Sequence, residues 1–413
     1  MRERFKSTGC VIVGGGPAGM VLGLLLARRG VCVRMLEMHE DFERDFRGDT
    51  IHPSTMEMLD RIGLAEDLHQ LRHGKLRVMR LVTPQRTWTL VRLDRLKTRF
   101  PYIMIASQAR FLEFLHEHAR RYPHFSLAFQ ANVQELIEED GAVKGVRYKD
   151  ESGAIQEVRA PLTVAADGRA SRIGKLAGFE PEGQSPEMDV IWVGLPKKDG
   201  DRPDEGALYS GDGHFMVVFE RESEWQAGYV IPKGGYKELR EAGIARLQQN
   251  VARLAPWLAD RVGVLDDWKR THMLTVRANR LPLWHKPGLL FIGDAAHAMS
   301  PVGGVGINYA IGDAVEAANV LSEKLREGRP IDEADLAEVQ RRREPAVRTI
   351  QRVQGSIQER FIGETLRHKD PFVPPWPLRL LLKTPYLRDI PSRMIAFGPK
   401  PYRLERADEH PPA

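Results

Sequence analysis

An α/β fold built on a parallel sheet, with an antiparallel sheet inserted into it, is predicted by three observations. A short apolar run, Cys10 to Val13, leads into the turn Gly14-x-Gly16-x-x-Gly19 and a helix-forming stretch. Far downstream a second apolar run, Leu289 to Ile292, delivers Asp294 and another glycine-rich turn. Between them, from about Met188 to Pro232, the texture changes to alternating strands, aromatic residues and tight turns. The chain has 413 residues, enough for two interlocked domains.

The elements follow in order. Cys10 to Val13, bounded by glycines, reads as a buried parallel strand. Pro17 to Arg29 reads as a helix, with proline near its start and Gly30 closing it. Val31 to Leu36, ending at Glu37, completes a βαβ unit. Pro53 to Arg61 is a helix stopped by Gly63, Leu76 to Val91 alternates as strand does, and Arg110 to Arg121 is a charged amphipathic helix. Phe125 to Ala160 reads as a β-meander with turns at Asp140-Gly141 and Ser152-Gly153. Leu162 to Ala166 returns to a buried strand ending at Asp167-Gly168. After the inserted sheet come a helix at Tyr236 to Leu254, strands over Val264 to Val276, and long helices at Asn308 to Arg326 and Glu333 to Arg360.

Charge is nearly balanced, 61 Lys and Arg against 56 Asp and Glu, a net +5 that would assist an anionic ligand by steering. No basic stripe interleaved with aromatics and no nucleic-acid motif occurs, so no nucleic-acid partner is expected. The two cysteines, Cys10 and Cys32, each inside a predicted strand, read as small buried residues of a reducing compartment. The start, Met1 to Thr8, is polar, and the apolar helix after Gly19 is too short to span a bilayer. The expectation is a cytoplasmic protein with no metal site and no stable membrane insertion.

The glycines of the first turn permit a tight bend and close approach of backbone to phosphate. The helix N-terminus behind it offers free amides and a positive dipole end. Glu37 stands at the end of the second strand, where an acid takes ribose hydroxyls. The second turn runs Gly293-Asp294-Ala295-Ala296-His297, then Pro301, Gly303, Gly304, Gly306, Ile307 and Asn308. It can hold a polyol with its carboxylate and aim backbone amides at an electron-rich ring. The first turn alone indicates a nucleotide; the pair indicates a flavin.

In these features the chain resembles the FAD-dependent aromatic hydroxylases of the p-hydroxybenzoate hydroxylase type, also called group A flavin monooxygenases. The resemblance runs over nearly the whole length in the family's order. It comprises the first glycine turn with Glu37, Arg47 before Thr50 to Leu59, Gln108 in Ser107-Gln108-Ala109-Arg110-Phe111-Leu112, Asp167-Gly168-x-x-Ser171, and Gly293-Asp294 with its turn. It implies a Rossmann-like FAD-binding domain with an inserted antiparallel-sheet substrate domain. It further implies that Gly14, Gly16, Pro17, Ala18, Gly19 and Asp167 seat the pyrophosphate side. Glu37 would bind the adenosine ribose, Arg47 and Gln108 the ribityl–phosphate region, and Asp294 a ribityl hydroxyl. Pro301 would border the isoalloxazine, while Gly303, Gly304, Gly306, Ile307 and Asn308 present amides to its pyrimidine edge. His297 is expected to be mainly structural. One departure concerns the Asp-Gly motif, which in the family usually ends in arginine. Gly174 stands there and Arg172 lies two residues earlier, so the nicotinamide contact is open, as is the choice of NADPH or NADH.

The resemblance implies a cycle in which NAD(P)H reduces FAD, oxygen adds to form a C4a-hydroperoxide, and an apolar aromatic or quinone-like molecule is hydroxylated. Substrate contacts are expected from the inserted sheet and from Arg47 to Pro53, with candidates His52, Tyr209, His214, Phe215, Met216 and Tyr229. The rival readings are a flavin-dependent dehydrogenase or reductase, a halogenase, and a flavin-binding protein acting through partner contact. Against the halogenase, Trp225 to Pro232 lacks that motif's second tryptophan, with Gly228 and Tyr229 in its region. The expected division is an FAD-binding domain of 1–75, 106–182 and 277–365, a sheet domain of 76–105 and 183–276, and a tail of 366–413. The tail, with Trp376 and Leu380 to Leu382 among basic residues, is expected to pack over the domain or a partner subunit; a membrane-surface contact is the alternative. Monomer and homodimer are both open.

Overall fold

A computed structural model describes residues 8–43, 50–183, 186–201, 204–367, 374–384 and 387–405. The core is a six-stranded sheet ordered His285–Lys286, Leu289–Phe291, Thr163–Ala165, Cys10–Val13, Val33–Leu36, Phe125–Ala128. Every pair in it is parallel except the outer hairpin of His285–Lys286 with Leu289–Phe291. The central strands are buried on both faces, which is why they read as unbroken apolar runs. The helix Pro17–Arg28 starts on Gly16 with proline in its first turn and stops before Gly30, whose φ of 81° suits glycine. It is buried on all sides, between the sheet and the helix Gly306–Arg326. Each of its fully buried leucines, Leu22, Leu24, Leu25 and Leu26, stabilises the fold by about 2 kcal/mol relative to exposure.

The inserted sheet has seven strands, ordered Thr271–Thr275, Met188–Pro196, Glu224–Pro232, His214–Arg221, Glu205–Gly211, Val78–Val82, Thr87–Arg92. It is antiparallel except where Val78–Val82 lies parallel to Glu205–Gly211, a pairing that joins two distant stretches of chain. One face of this sheet is covered by the helix Ile244–Leu254; the other looks toward the parallel sheet. The fold is thus mixed α/β, as the sequence predicts.

Local differences have physical causes. Phe125–Ala128 does not join the meander; it pairs parallel with Val33–Leu36, leaving a three-stranded antiparallel sheet over 132–159. The helix expected over Tyr236 to Leu254 breaks at Gly243, whose φ of 87° ends one turn-forming run and starts another. The long helix Glu333–Ile357 passes through Pro345 and ends in a π-turn, Gln358–Gly363. Cys10 lies in its strand, whereas Cys32 precedes the next strand and is partly exposed, correcting its expected placement. In the tail, the helix Ile390–Phe397 packs on Pro53–Arg61 and on Thr87–Arg92, where the Arg92 amide donates to Ser392 Oγ at 2.9 Å. Among the described residues no helix is long and apolar enough to cross a membrane, and no group of His, Cys, Asp or Glu is arranged to hold a metal.

Candidate functional site

A single cavity of about 1170 Å³ runs from the first glycine turn, past the second, to the inner face of the seven-stranded sheet. Of the residues singled out in the sequence, Gly14, Gly16, Pro17, Ala18, Glu37, Gln108, Asp167, Asp294, Pro301, Gly303, Gly304, Gly306 and Ile307 line it. Arg47 lies outside the described residues. Two of the expected cofactor contacts, Gly19 and Asn308, do not line it. Gly19 faces the Gly14 carbonyl, which a Cβ would approach to 2.0 Å, so it serves the close packing of helix on turn. Asn308 is buried and spends its side chain elsewhere: Oδ1 accepts from the His52 amide and from Thr55 Oγ1, both at 2.8 Å, and Nδ2 donates to the Thr50 carbonyl. Its own amide donates to Val305 O. The expectation that Asn308 presents an amide to a ligand is therefore corrected; it straps the 50–55 segment to the second turn.

Each glycine has its own reason. Gly14 has φ 107°, and a Cβ would sit 2.3 Å from Ala166 O, just past the end of the neighbouring strand Thr163–Ala165. Gly16 is different: a Cβ there would meet nothing within 4 Å, because the space beyond it is the cavity. The same holds for Gly306, the first residue of the helix Gly306–Arg326. Two bare helix starts therefore open on one cavity. The first amides of a helix lack intrahelical acceptors, and the helix end carries about half a positive charge.

Carboxylates fix these turns. Glu37, buried, accepts the Gly15 amide on Oε2 at 2.7 Å and the His39 amide on Oε1 at 3.0 Å, holding the first turn in shape. Asp167 accepts from Ser171 Oγ at 2.7 Å and from the Ile173 amide at 3.0 Å. Burial pushes its carboxyl above the usual carboxylate range, with those hydrogen bonds pulling the other way. Asp294 receives Arg169 Nε at 3.0 Å, both side chains about 29% exposed. The sequence alone does not single out Arg169; its clue is a charge inside the Asp-Gly motif.

Behind Asp294 lies a buried network. Asp313 accepts the Gly293 amide at 2.9 Å, His297 Nε2 at 2.6 Å and Arg343 Nε at 2.8 Å. Burial alone would raise its carboxyl, but the charges and hydrogen bonds of His297 and Arg343 outweigh it and hold the pKa below the usual range. Gly293, at φ 61°, is thereby locked in the conformation that turns Asp294 to the cavity. Gln354 donates to the carbonyls of Ser300 and Val302, fixing the turn around Pro301. His297 lies away from the cavity, against Trp284 with ring centroids 4.9 Å apart.

The sheet-side chamber corrects the substrate candidates. Tyr209, Met216 and Tyr229 lie opposite one another across three strands, on the face packed beneath Ile244–Leu254. Tyr209 Oη accepts from Trp257 Nε1 at 2.7 Å, and Tyr229 Oη meets His214 Nδ1 at 2.6 Å and Asn250 Nδ2 at 2.9 Å. Burial pushes Tyr229 up to about 12 and lowers His214. The chamber is faced by their strand neighbours: Leu208, Phe215, Val217 and Val230, with Trp192 and Phe219. A one-residue offset in a strand exchanges faces. Of the candidates, Phe215 alone lines the cavity. Gly228 clears room for the Trp192 indole, which a Cβ would meet at 2.7 Å. His52 is also off the cavity; Nδ1 bonds to the Ile395 carbonyl at 2.7 Å, pinning the last helix to the core. Burial lowers its pKa to about 4, so it is neutral at physiological pH.

The donor set fits FAD: two glycine turns open to one cavity, an acid at the end of the second strand, and a carboxylate beside the second turn. Comparison with known proteins agrees. A family profile described as FAD binding domain matches residues 7–353. The 6-methylpretetramide 4-monooxygenase of Streptomyces rimosus is 33% identical over 402 residues, covering 96% of this chain and 94% of that protein. The para-nitrophenol 4-monooxygenase of a Pseudomonas species is 23% identical over 350 residues, covering 81% and 83%. The crystal structure of Pseudomonas aeruginosa PqsL in complex with 2-aminobenzoylacetate superposes with a TM-score of 0.74 at 19% identity, covering 86% of this chain and 98% of that one. The chain belongs to this FAD-binding family, as one of the FAD-dependent aromatic hydroxylases of the p-hydroxybenzoate hydroxylase type.

Proposed function

We propose that the protein uses NAD(P)H and O2 to hydroxylate an apolar aromatic or quinone-like molecule of several rings. The observation that carries this reading is the single cavity that joins both glycine turns to an apolar chamber. Its volume of about 1170 Å³ exceeds the roughly 300–1,000 Å³ usual for one small-molecule ligand, room for a flavin and a sizeable substrate together. The two curated relatives, both named as 4-monooxygenases, support the reaction class.

FAD, when bound, supplies the electron transfer and oxygen activation. The chain's residues do the rest. The amides of Gly306 and Ile307, at the start of a 21-residue helix, offer a positive dipole end to negative charge on the ring. Asp294 orients a ribityl hydroxyl, and the Gly14–Gly16 turn receives the pyrophosphate. Trp192, Phe215, Val217 and Phe219 hold the substrate ring and exclude water, which protects the oxidising step from side reactions.

The test is direct. The purified protein should be yellow with an FAD spectrum, and a screen of phenols, quinolones and quinone precursors should find one that stimulates NADPH or NADH oxidation. Its product should be heavier by one oxygen. Protein that never retains FAD, or turnover that leaves a dehydrogenated product with no added oxygen, contradicts the reading.

A further inference from the structure

The tail carries a surface that the reaction does not use. Four of the eleven large hydrophobic side chains that stand exposed among the described residues fall between positions 376 and 390. Trp376, at 69% exposure, is the most exposed of all, followed in this stretch by Leu380 at 58%, Leu387 at 45% and Ile390 at 43%. In the helix Trp376–Lys383, positions 376, 379, 380 and 383 fall on one face, so Trp376 and Leu380 stand beside the exposed cations Arg379 and Lys383. Arg393 and Lys400 add exposed positive charge on the segment that follows. The acid within 376–400 is Asp389, whose Oδ1 is buried.

The opposite side of this segment is cavity wall. Pro375 and Leu382, with Pro391 and Ile395 of the next helix, line the chamber. One thin layer of chain therefore has the cavity on its inner side and a basic, apolar surface on its outer side.

We propose that this outer face docks the protein on an anionic lipid surface, lying in the interface rather than crossing it. Trp and Leu on one helix face enter the headgroup–acyl boundary, and Arg and Lys extend their charged ends to lipid phosphates. Charge complementarity selects lipid over a second copy of this chain. A two-fold contact through the patch would set its cations against the same cations of the partner. Among the described residues no helix is long and apolar enough to span a bilayer, and the proposed contact is a peripheral one. On the proposed function, the chamber would then take its apolar substrate across the docked wall; docking itself stands apart from that reading.

The experiment is co-sedimentation of the FAD-loaded full chain with vesicles of phosphatidylglycerol mixed with phosphatidylcholine, beside vesicles of phosphatidylcholine alone. The expected result is binding to the anionic vesicles that weakens with added salt and is about tenfold stronger than to the neutral ones. The double variant Trp376→Glu/Leu380→Glu should lose about tenfold in partition, and Arg379→Glu/Lys383→Glu a similar amount, with FAD content and melting temperature unchanged. Wild-type protein that stays in the supernatant with anionic vesicles overturns the proposal. So does equal binding by the variants, and so does a wild-type dimer in sedimentation velocity that Trp376→Glu/Leu380→Glu converts to monomer without any vesicle binding.

Discussion

Arg169 donates from Nε to Asp294 Oδ2 at 3.0 Å, tying the Asp-Gly motif to the second glycine turn across the cavity. The two motifs lie far apart in the chain, follow paired strands of the parallel sheet, and are bridged by this ion pair. On the proposed function, Asp294→Ala should therefore raise the FAD dissociation constant about tenfold or more, because it removes the charged acceptor that would take a ribityl hydroxyl. Flavin-fluorescence titration reads this. An unchanged constant would remove Asp294 from the site.

The network behind that turn should behave as structure. Asp313 is fully buried and holds the Gly293 amide, His297 and Arg343. Asp313→Ala leaves the Arg343 charge buried without its partner and should cost about 3–5 kcal/mol in chemical denaturation. His297→Ala should lower stability too, yet leave the rate of flavin reduction in the surviving holoenzyme within about twofold of wild type. A large loss of reduction rate in His297→Ala would make His297 a participant in the chemistry.

Adjacent residues on one strand give the sharpest test of the chamber. Val217 lines the cavity, while Val218 is buried on the far face among Leu247 and Val251. Val217→Phe should fill the chamber and raise KM for the aromatic substrate about tenfold with little change in melting temperature. Val218→Phe should overpack the far face, costing about 1–3 kcal/mol with KM unchanged. The reverse pattern would mean the chamber lies on the other side of the sheet.

His52 gives a pH signature. Its folded pKa of about 4 lies below the ordinary 6.5, so the unfolded chain binds the extra proton between those values. Its contribution is intact above pH 6.5 and is lost as pH falls toward 4, about 3 kcal/mol in all. Urea denaturation across this range should show wild type losing more stability than His52→Gln on acidification. Parallel curves would contradict the assignment.

The glycine turns were legible in the sequence because glycine's role there is the absence of a side chain, which composition and spacing display directly. Glu37 was legible from its place at a strand end. The sheet's two faces were not. Strands such as Met188–Pro196 bury both faces, so apolar residues run without alternation and nothing marks which parity meets the ligand. Tyr209, Met216 and Tyr229 look like ligand-facing residues because they are large; the two tyrosine hydroxyls instead bond within the far layer. Asn308 sits in the right motif, but which way an amide side chain reaches is decided by the distant residues Thr50, His52 and Thr55.

The decisive experiment is turnover of the FAD-loaded enzyme under isotopically labelled dioxygen, with NADPH or NADH and an aromatic substrate, followed by mass spectrometry. One labelled oxygen atom in the product per nicotinamide oxidised is expected in coupled turnover. Product that forms without labelled oxygen, or at the same rate with dioxygen excluded, would contradict it.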